Sequence, residues 1–474
     1  MTGAFARLLR RAVDVREQEI AALVWSSAYF FFVLSAYYVI RPVRDEMGVA
    51  GGVEHLAWLF TGTLVGMLLV HPIFTALVGR LPRRRFVPLI YRFFIMNLIV
   101  FFLVFRAVNA THAVWVGRVF FIWTSVFNLF VVSVFWSLMT DLYQPAQSER
   151  LFGIIAVGGT LGAILGASIT SGLANLLGPV NLLLVSALLL EIAARAARAL
   201  DGQEDRLVLA ARPDEANARA VTDRPAASDE SRRGAPRAET AAEPHRDARV
   251  IGGGVLEGIR GVARSPYLLG IAALMLLFTI TTTFLYFQQA GIVARAFEGD
   301  PQGRTRLFAN IDLAVNILTL VTQVFLTGRL LRWIGLGLGL ALLPLMSLLG
   351  FGILASAPVL SVLVVFQVLR RAANFAMQRP AREVLYTVLP RAEKYKAKNF
   401  NDTFVYRLGD QFGAWSYTAI AWLGLRLSGL ALTMVPVSAL WLLLVLWLGR
   451  RHGRLLAATP RPTPATTARE PRLV

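Results

Sequence analysis

Apolar residues fall in twelve runs long enough to cross a bilayer. Six lie near 20–40, 55–78, 86–106, 113–140, 152–177 and 179–197, and six more near 266–290, 307–328, 333–355, 358–378, 402–424 and 430–449. A helix needs about 20 predominantly apolar residues to span hydrocarbon, and only helices or closed barrels satisfy their backbone there. The pattern predicts an all-α polytopic membrane protein with 12 transmembrane helices in two six-helix bundles. Between the sets, 198–250 is rich in Ala, Arg, Asp, Glu and Pro and almost lacks aromatics, so it buries too little apolar surface to fold. The predicted organisation is a cytoplasmic segment 1–19, an N-terminal bundle 20–197, a flexible cytoplasmic linker 198–250, a C-terminal bundle 251–450 and a cytoplasmic tail 451–474.

Composition narrows the class. Of the 474 residues 56% are hydrophobic and 16% charged, with a mean hydropathy of +0.58; a soluble chain carries about 25% charged residues. The net charge of +19 does not indicate nucleic acid, because the basic residues sit between apolar runs and not in an aromatic-studded basic domain. They follow instead the cytoplasmic bias of membrane proteins. Arg80, Arg83, Arg84 and Arg85 follow the second run, a basic 379–398 segment the tenth, and Arg450, Arg451 and Arg454 the last, whereas the 107–112 and 356–357 turns hold no Lys or Arg. Both termini are therefore expected in the cytoplasm of a multi-pass protein of the bacterial inner membrane. Arg7, Arg10, Arg11 and Arg16 with Glu17 and Glu19 precede the first run without a small-residue cleavage site, which predicts a leader into a retained helix.

Chemistry is largely excluded. There is no cysteine, and His55, His71, His112, His245 and His452 are scattered, so thiol chemistry and a metal site are not expected. No phosphate-binding loop and no nucleophile–base pairing is present, so neither an enzyme nor a cofactor is expected.

The two halves echo each other. Gly79-Arg80-Leu81 is predicted to close helix 2 and Gly328-Arg329-Leu330 helix 8, 249 residues later; Asn128 and Asn374 are 246 apart. Parallel six-helix repeats with a solute site between them are the plan of major facilitator transporters, so the expected fold is major facilitator-like.

Polar residues inside such helices are costly and are functional by default. In helix 8, Asp312, Asn316, Thr319 and Gln323 share one face; helix 10 has a matching stripe of Gln367, Arg371, Asn374 and Gln378. Helix 4 adds Arg118, Ser125 and Asn128, and helix 7 adds Thr279, Thr282, Tyr286 and Gln289. Helix 11 holds Asp402, Tyr406, Arg407, Asp410 and Gln411, with Arg407 and Asp410 spaced to pair at i,i+3. Arg41 and Arg44 could form a fork for a carboxylate or phosphate or snorkel at the interface, and Arg92 offers a further cation. Cavity lining competes with plain interhelical bonding for the amide and hydroxyl residues. Gly158, Gly162 and Gly166 form a small-residue face for close helix packing, sliding or static.

Three of these segments carry a resemblance. Tyr38-Val39-Ile40-Arg41-Pro42-Val43-Arg44-Asp45 resembles the helix 1 signature of the nucleotide transporter family, the bacterial and plastid ATP/ADP translocases. Ser133, Phe135-Trp136 and Glu149-Arg150-Leu151-Phe152-Gly153 look like that family's helix 4 and the loop behind it. Lys394-Tyr395-Lys396-Ala397-Lys398, Asp402 and Arg407-Leu408-Gly409 are similar to its helix 11 entry. The resemblance implies an ATP:ADP antiporter, a branch related to the major facilitators. Three departures matter: Arg44 stands for the family's lysine, Asp410 for its helix 11 lysine, and Trp123-Thr124-Ser125 lacks its helix 4 acid. One cation fewer and one acid more weaken triphosphate binding, so a smaller organic anion or a cation fits equally well.

The expected activity is secondary active transport by alternating access, the solute being an organic anion or a nucleotide, with Arg41, Arg44, Arg92, Asn128, Tyr286, Asp312, Asn316, Arg371, Asn374, Arg407 and Asp410 at the site. The alternatives are a proton-coupled symporter or exporter of another small solute, with Asp312 or Asp410 titrating, and a transport-inactive membrane scaffold or sensor. The expected partners are the solute and the lipid bilayer, the expected state a monomer.

Overall fold

A computed structural model describes residues 15–80, 83–203, 262, 264–325 and 327–458. The leader residues Arg7, Arg10 and Arg11, the linker from 204 to 250 and the tail beyond 458 lie outside them. The first six long helices are α1 Glu17–Ala50, α2 Leu56–Arg80, α3 Arg83–Ala107, α4 Ala110–Leu142, α5 Pro145–Leu177 and α6 Leu182–Asp201. They are followed by α7 Pro266–Ala296, α8 Pro301–Phe325 and α9 Thr327–Ser356. α10 runs Leu360–Ala373, passes through a π-helical turn Asn374–Gln378 and ends as Arg379–Leu385. α11 runs Arg391–Phe400, has its own π-helical turn Asn401–Val405 and continues as Tyr406–Trp422; α12 is Leu427–Ala458.

Ten of these helices are long and apolar enough to cross a membrane on hydropathy alone. The other two, α6 with Glu191, Arg195 and Arg198 and α11 with Arg407 and Asp410, carry charges within their spans. Local signals set the ends. The Asn109 side chain accepts from the His112 amide at 3.0 Å and caps α4. Proline opens α5, α7 and α8, where its missing N–H costs nothing.

Gly328-Arg329-Leu330 lies ahead of a kink at Gly335, whose φ of 74° falls where only glycine sits without strain. The basic 379–398 segment, read as a connection, is mostly helical on both sides of a short turn ending at Pro390.

Packing divides the described chain into two compact units. The first holds 15–203 with Tyr286–Leu320, and the second holds 262 and 264–285 with 321–458. In the first unit α1 is the central helix, packed on α4, α5 and α6. Gly158, Gly162 and Gly166 of α5 lie against the backbone of Ser27, Phe31 and Ser35 on α1; a Cβ on Gly158 would stand 2.8 Å from the Ser27 carbonyl oxygen. The two stripes share four-residue spacing, so the glycine face predicted from sequence meets its complement along α1. Below them Tyr29, Tyr91, Phe30 and Phe135 form an aromatic layer, with the Tyr29 hydroxyl donating to that of Tyr91 at 2.6 Å.

The second unit repeats the theme. Gly409 and Gly413 of α11 lie against Thr279, Ile280 and Thr283 of α7. They stand 251 residues after Gly158 and Gly162. α9 packs along α12, and Phe278 and Trp441 anchor α7 to α12 with ring centroids 6.1 Å apart.

Candidate functional site

Two polar constellations stand out, one in each unit. The first joins the C-terminal end of α1 to the end of α7 and the start of α8. Asp312 of α8 is 2% exposed, and its carboxylate pairs with the Arg41 guanidinium at 3.1 Å. Asp45 accepts from Arg44 on its own helix at 2.6 and 3.1 Å and from the Tyr286 hydroxyl of α7 at 3.0 Å. Glu46, also 2% exposed, accepts from Arg304 of α8 at 2.8 Å, and Arg304 donates to the Phe297 carbonyl as well. Asn316 is buried one turn beyond Asp312 and donates to its carbonyl at 2.8 Å.

The helix register explains the grouping. Arg41, Asp45 and the neighbouring Glu46 fall on one side of α1, while Arg304, Asp312 and Asn316 fall on one side of α8. Charges buried this way are tolerated only when paired and hydrogen-bonded. Ser171 of α5 and Asn310 of α8 add a side-chain hydrogen bond, and Phe60 of α2 packs edge-on to Phe287.

In this arrangement Arg41 meets Asp312, while Arg44 meets Asp45 and lies over the Phe121 ring at 5.0 Å. A carboxylate across the helix pair engages the Arg41 guanidinium, and that of the next residue along α1 engages Arg44. Arg118 of α4 donates to the Gly51 carbonyl at 2.8 Å and stacks on Trp115, tying α4 to the end of α1.

Two predicted residues of the same unit stand apart. Arg92 is exposed on α3, beside the outward stripe of Leu89, Phe93, Met96, Val100 and Leu103; its register turns it away from the network. Asn128 is half-buried on α4, and its side chain has no hydrogen bond among the described residues.

The second constellation lies in the other unit, around the π-helical turns. Arg407 pairs with Asp410 at 3.2 Å, as their spacing predicts, and Arg382 with Asp402 at 3.6 Å. Arg371 and Asn374 are half-buried on α10, and Gln323 of α8 donates to the Phe375 carbonyl at 3.3 Å. The residue missed from sequence is Arg370. It is 2% exposed and donates to Ser347 at 2.9 Å, to Thr282 at 3.1 Å and to Thr281 at 2.8 Å. The only signal for it was a pair of adjacent arginines, and periodicity alone does not say which of the two turns inward.

At the cytoplasm-facing side predicted from charge, Glu19 is buried under Arg150, which reaches it with two N–H groups at 3.0 and 3.3 Å, and Gln147 adds a third bond. Arg150, read from sequence as part of the loop behind helix 4, thus fastens the start of α5 to α1.

No family model and no curated protein sequence matches this chain. By structure it is similar to a bacterial homologue of the human lysosomal transporter Spinster, in an inward-facing and unoccupied conformation. The TM-score is 0.55 at 13% identity, over 94% of this chain and 98% of that one. It is also similar to the peptide transporter POT in complex with sulfate, with a TM-score of 0.53 at 14% identity over 92% and 95% of the two chains. At such identities the likeness speaks to the fold alone, that of an all-α, multi-pass membrane protein.

Proposed function

We propose that this chain is a secondary transporter working by alternating access on a small organic anion, with nucleotide exchange of the ATP:ADP kind as its finest form. The observation that carries the proposal is the ion-paired junction of α1 with α7 and α8. The glycine stripe between α1 and α5 and the aromatic layer beside it suit contacts that stay dry. A junction of Arg41, Asp45, Glu46, Tyr286, Arg304 and Asp312, with two ion pairs between helices, is different in kind. Its charges lose their partners on parting but regain water, so the closed and open forms lie within a few kcal/mol of each other. A permanent contact gains nothing from such balance, whereas a gate requires it. With the Arg-rich connections cytoplasmic, the junction closes the outer end of the path.

The major facilitator fold supports the reading, since binding near the bilayer midplane and rocking of helical repeats belong to that plan. The three segments resembling ATP/ADP translocases support a nucleotide, and Asp410 in place of a lysine favours a less highly charged anion. The test is uptake by purified protein in sealed vesicles, with labelled ATP, ADP and inorganic phosphate outside and unlabelled anions inside. Exchange of any of these, lost on Asp312→Asn, is the expected result. Absence of uptake for all three and for a panel of carboxylates, from protein that remains folded, would overturn the proposal.

A further inference from the structure

We propose that Arg370 is an oxyanion-holding residue of the second unit, taking a carboxylate or phosphoryl group of the solute. The inference rests on the transporter reading for its physiological meaning, but its binding chemistry stands separately. Among the described residues, four arginines with bonds across helices meet carboxylates: Arg41 with Asp312, Arg304 with Glu46, Arg150 with Glu19 and Arg382 with Asp402. Arg370 has only hydroxyls and the face of Phe278, 5.7 Å away. Those hydroxyls orient the guanidinium without neutralising it. Each spends its own hydrogen on a helix carbonyl: Thr281 on Leu277, Thr282 on Phe278 and Ser347 on Leu343. Three of the five guanidinium N–H groups are thereby used, leaving two donors for a bidentate partner.

A further observation points to an anion. Four residues past Arg370, α10 enters its π-helical turn, a feature frequent at functional sites. The turn ends at Gln378, which is 2% exposed yet has neither amide atom hydrogen-bonded among the described residues. Buried polar groups nearly always have partners. A widened helix that carries both an unpartnered amide and, eight residues earlier, a guanidinium without a carboxylate partner has the chemistry of a site for a polar, negatively charged ligand. Since Arg370 is closed off in this conformation, the anion reaches it when α7 and α10 part.

The experiment is thermal unfolding of the full chain in neutral detergent, with inorganic phosphate, pyrophosphate, succinate and citrate each compared with chloride at equal ionic strength. At least one oxyanion should raise Tm by about 3 °C at about a hundredfold excess over its Kd. Arg370→Gln should abolish that rise while unfolding no earlier than the wild type in chloride, because it removes an unneutralised buried charge. Arg370→Lys should keep part of the rise, and Arg92→Gln all of it. A purely structural Arg370 gives the opposite result, an early-melting Arg370→Gln whose response to oxyanions is unchanged, and overturns the proposal. So does stabilisation by phosphatidylglycerol alone, which would assign the guanidinium to a lipid headgroup. The two readings fail separately. Oxyanion binding without uptake defeats the transporter but leaves Arg370 its ligand; anion uptake that Arg370→Gln leaves intact defeats the assignment but leaves the transporter.

Discussion

Breaking the Asp312–Arg41 pair should open the junction between α1 and α8 by a calculable amount. At 3.1 Å two unit charges attract by roughly 5 kcal/mol at an effective dielectric constant of about 20. Desolvation offsets part of this, since Asp312 is 2% and Arg41 19% exposed. Removing one partner of a buried pair costs more than the pair contributes, because the other charge stays buried; about 3–5 kcal/mol is typical. Asp312→Asn should therefore shift the closed-to-open ratio by at least about a hundredfold, at 1.36 kcal/mol per tenfold. The chain has no cysteine, so one reporter thiol suffices. Thr305 on α8 is fully buried and its hydroxyl bonds only within its own helix, which makes Thr305→Cys a mild replacement. Its labelling by a membrane-impermeant maleimide is proportional to the open fraction as long as the closed form dominates. The rate should rise about a hundredfold on Asp312→Asn, and fall back substantially when Arg41→Gln is added, since an amide pair leaves no stranded charge. Equal labelling of the parent, Asp312→Asn and Arg41→Gln would refute the reasoning.

Other consequences follow from the same geometry. Tyr286→Phe removes one donor to the Asp45 carboxylate; a hydrogen bond to a charged group contributes about 1.5–3 kcal/mol, so Thr305→Cys labelling should rise about tenfold or more. Gly162→Ala drives a methyl group into the Phe31 backbone, with Phe31 Cα at 2.8 Å, and should lose about 1–3 kcal/mol or more. Gly153→Ala, which meets nothing within 4 Å, should leave Tm in detergent unchanged. Arg92→Gln should alter stability by no more than about 0.5 kcal/mol and leave uptake as it was, because Arg92 is exposed on α3, apart from the polar network of its own unit; a strong loss of uptake would return it to the site.

Much was legible before any coordinates. Twelve hydrocarbon-length runs leave a chain no choice but helices across a bilayer, because an apolar solvent makes every backbone group find its partner within the segment. The Gly158, Gly162 and Gly166 face, the Asp312 and Asn316 stripe and the Arg407–Asp410 pair are likewise local matters, set by 3.6 residues per turn. Partners were not legible. That Arg41 meets Asp312, that Glu46 meets Arg304 and that Tyr286 reaches Asp45 depends on which helices pack together, and no spacing along the chain encodes that. Of two adjacent arginines, Arg370 turns fully inward and Arg371 only partly, a choice of about 100° of rotation that the neighbouring Thr281, Thr282 and Ser347 decide by offering hydroxyls on one side. The π-helical turns in α10 and α11 also arise from packing, since each inserts one residue per turn against the helix's own hydrogen-bond preference. Local periodicity therefore determined the helices and their polar faces, and the tertiary structure decided which of the described charges met carboxylates and which met only hydroxyls.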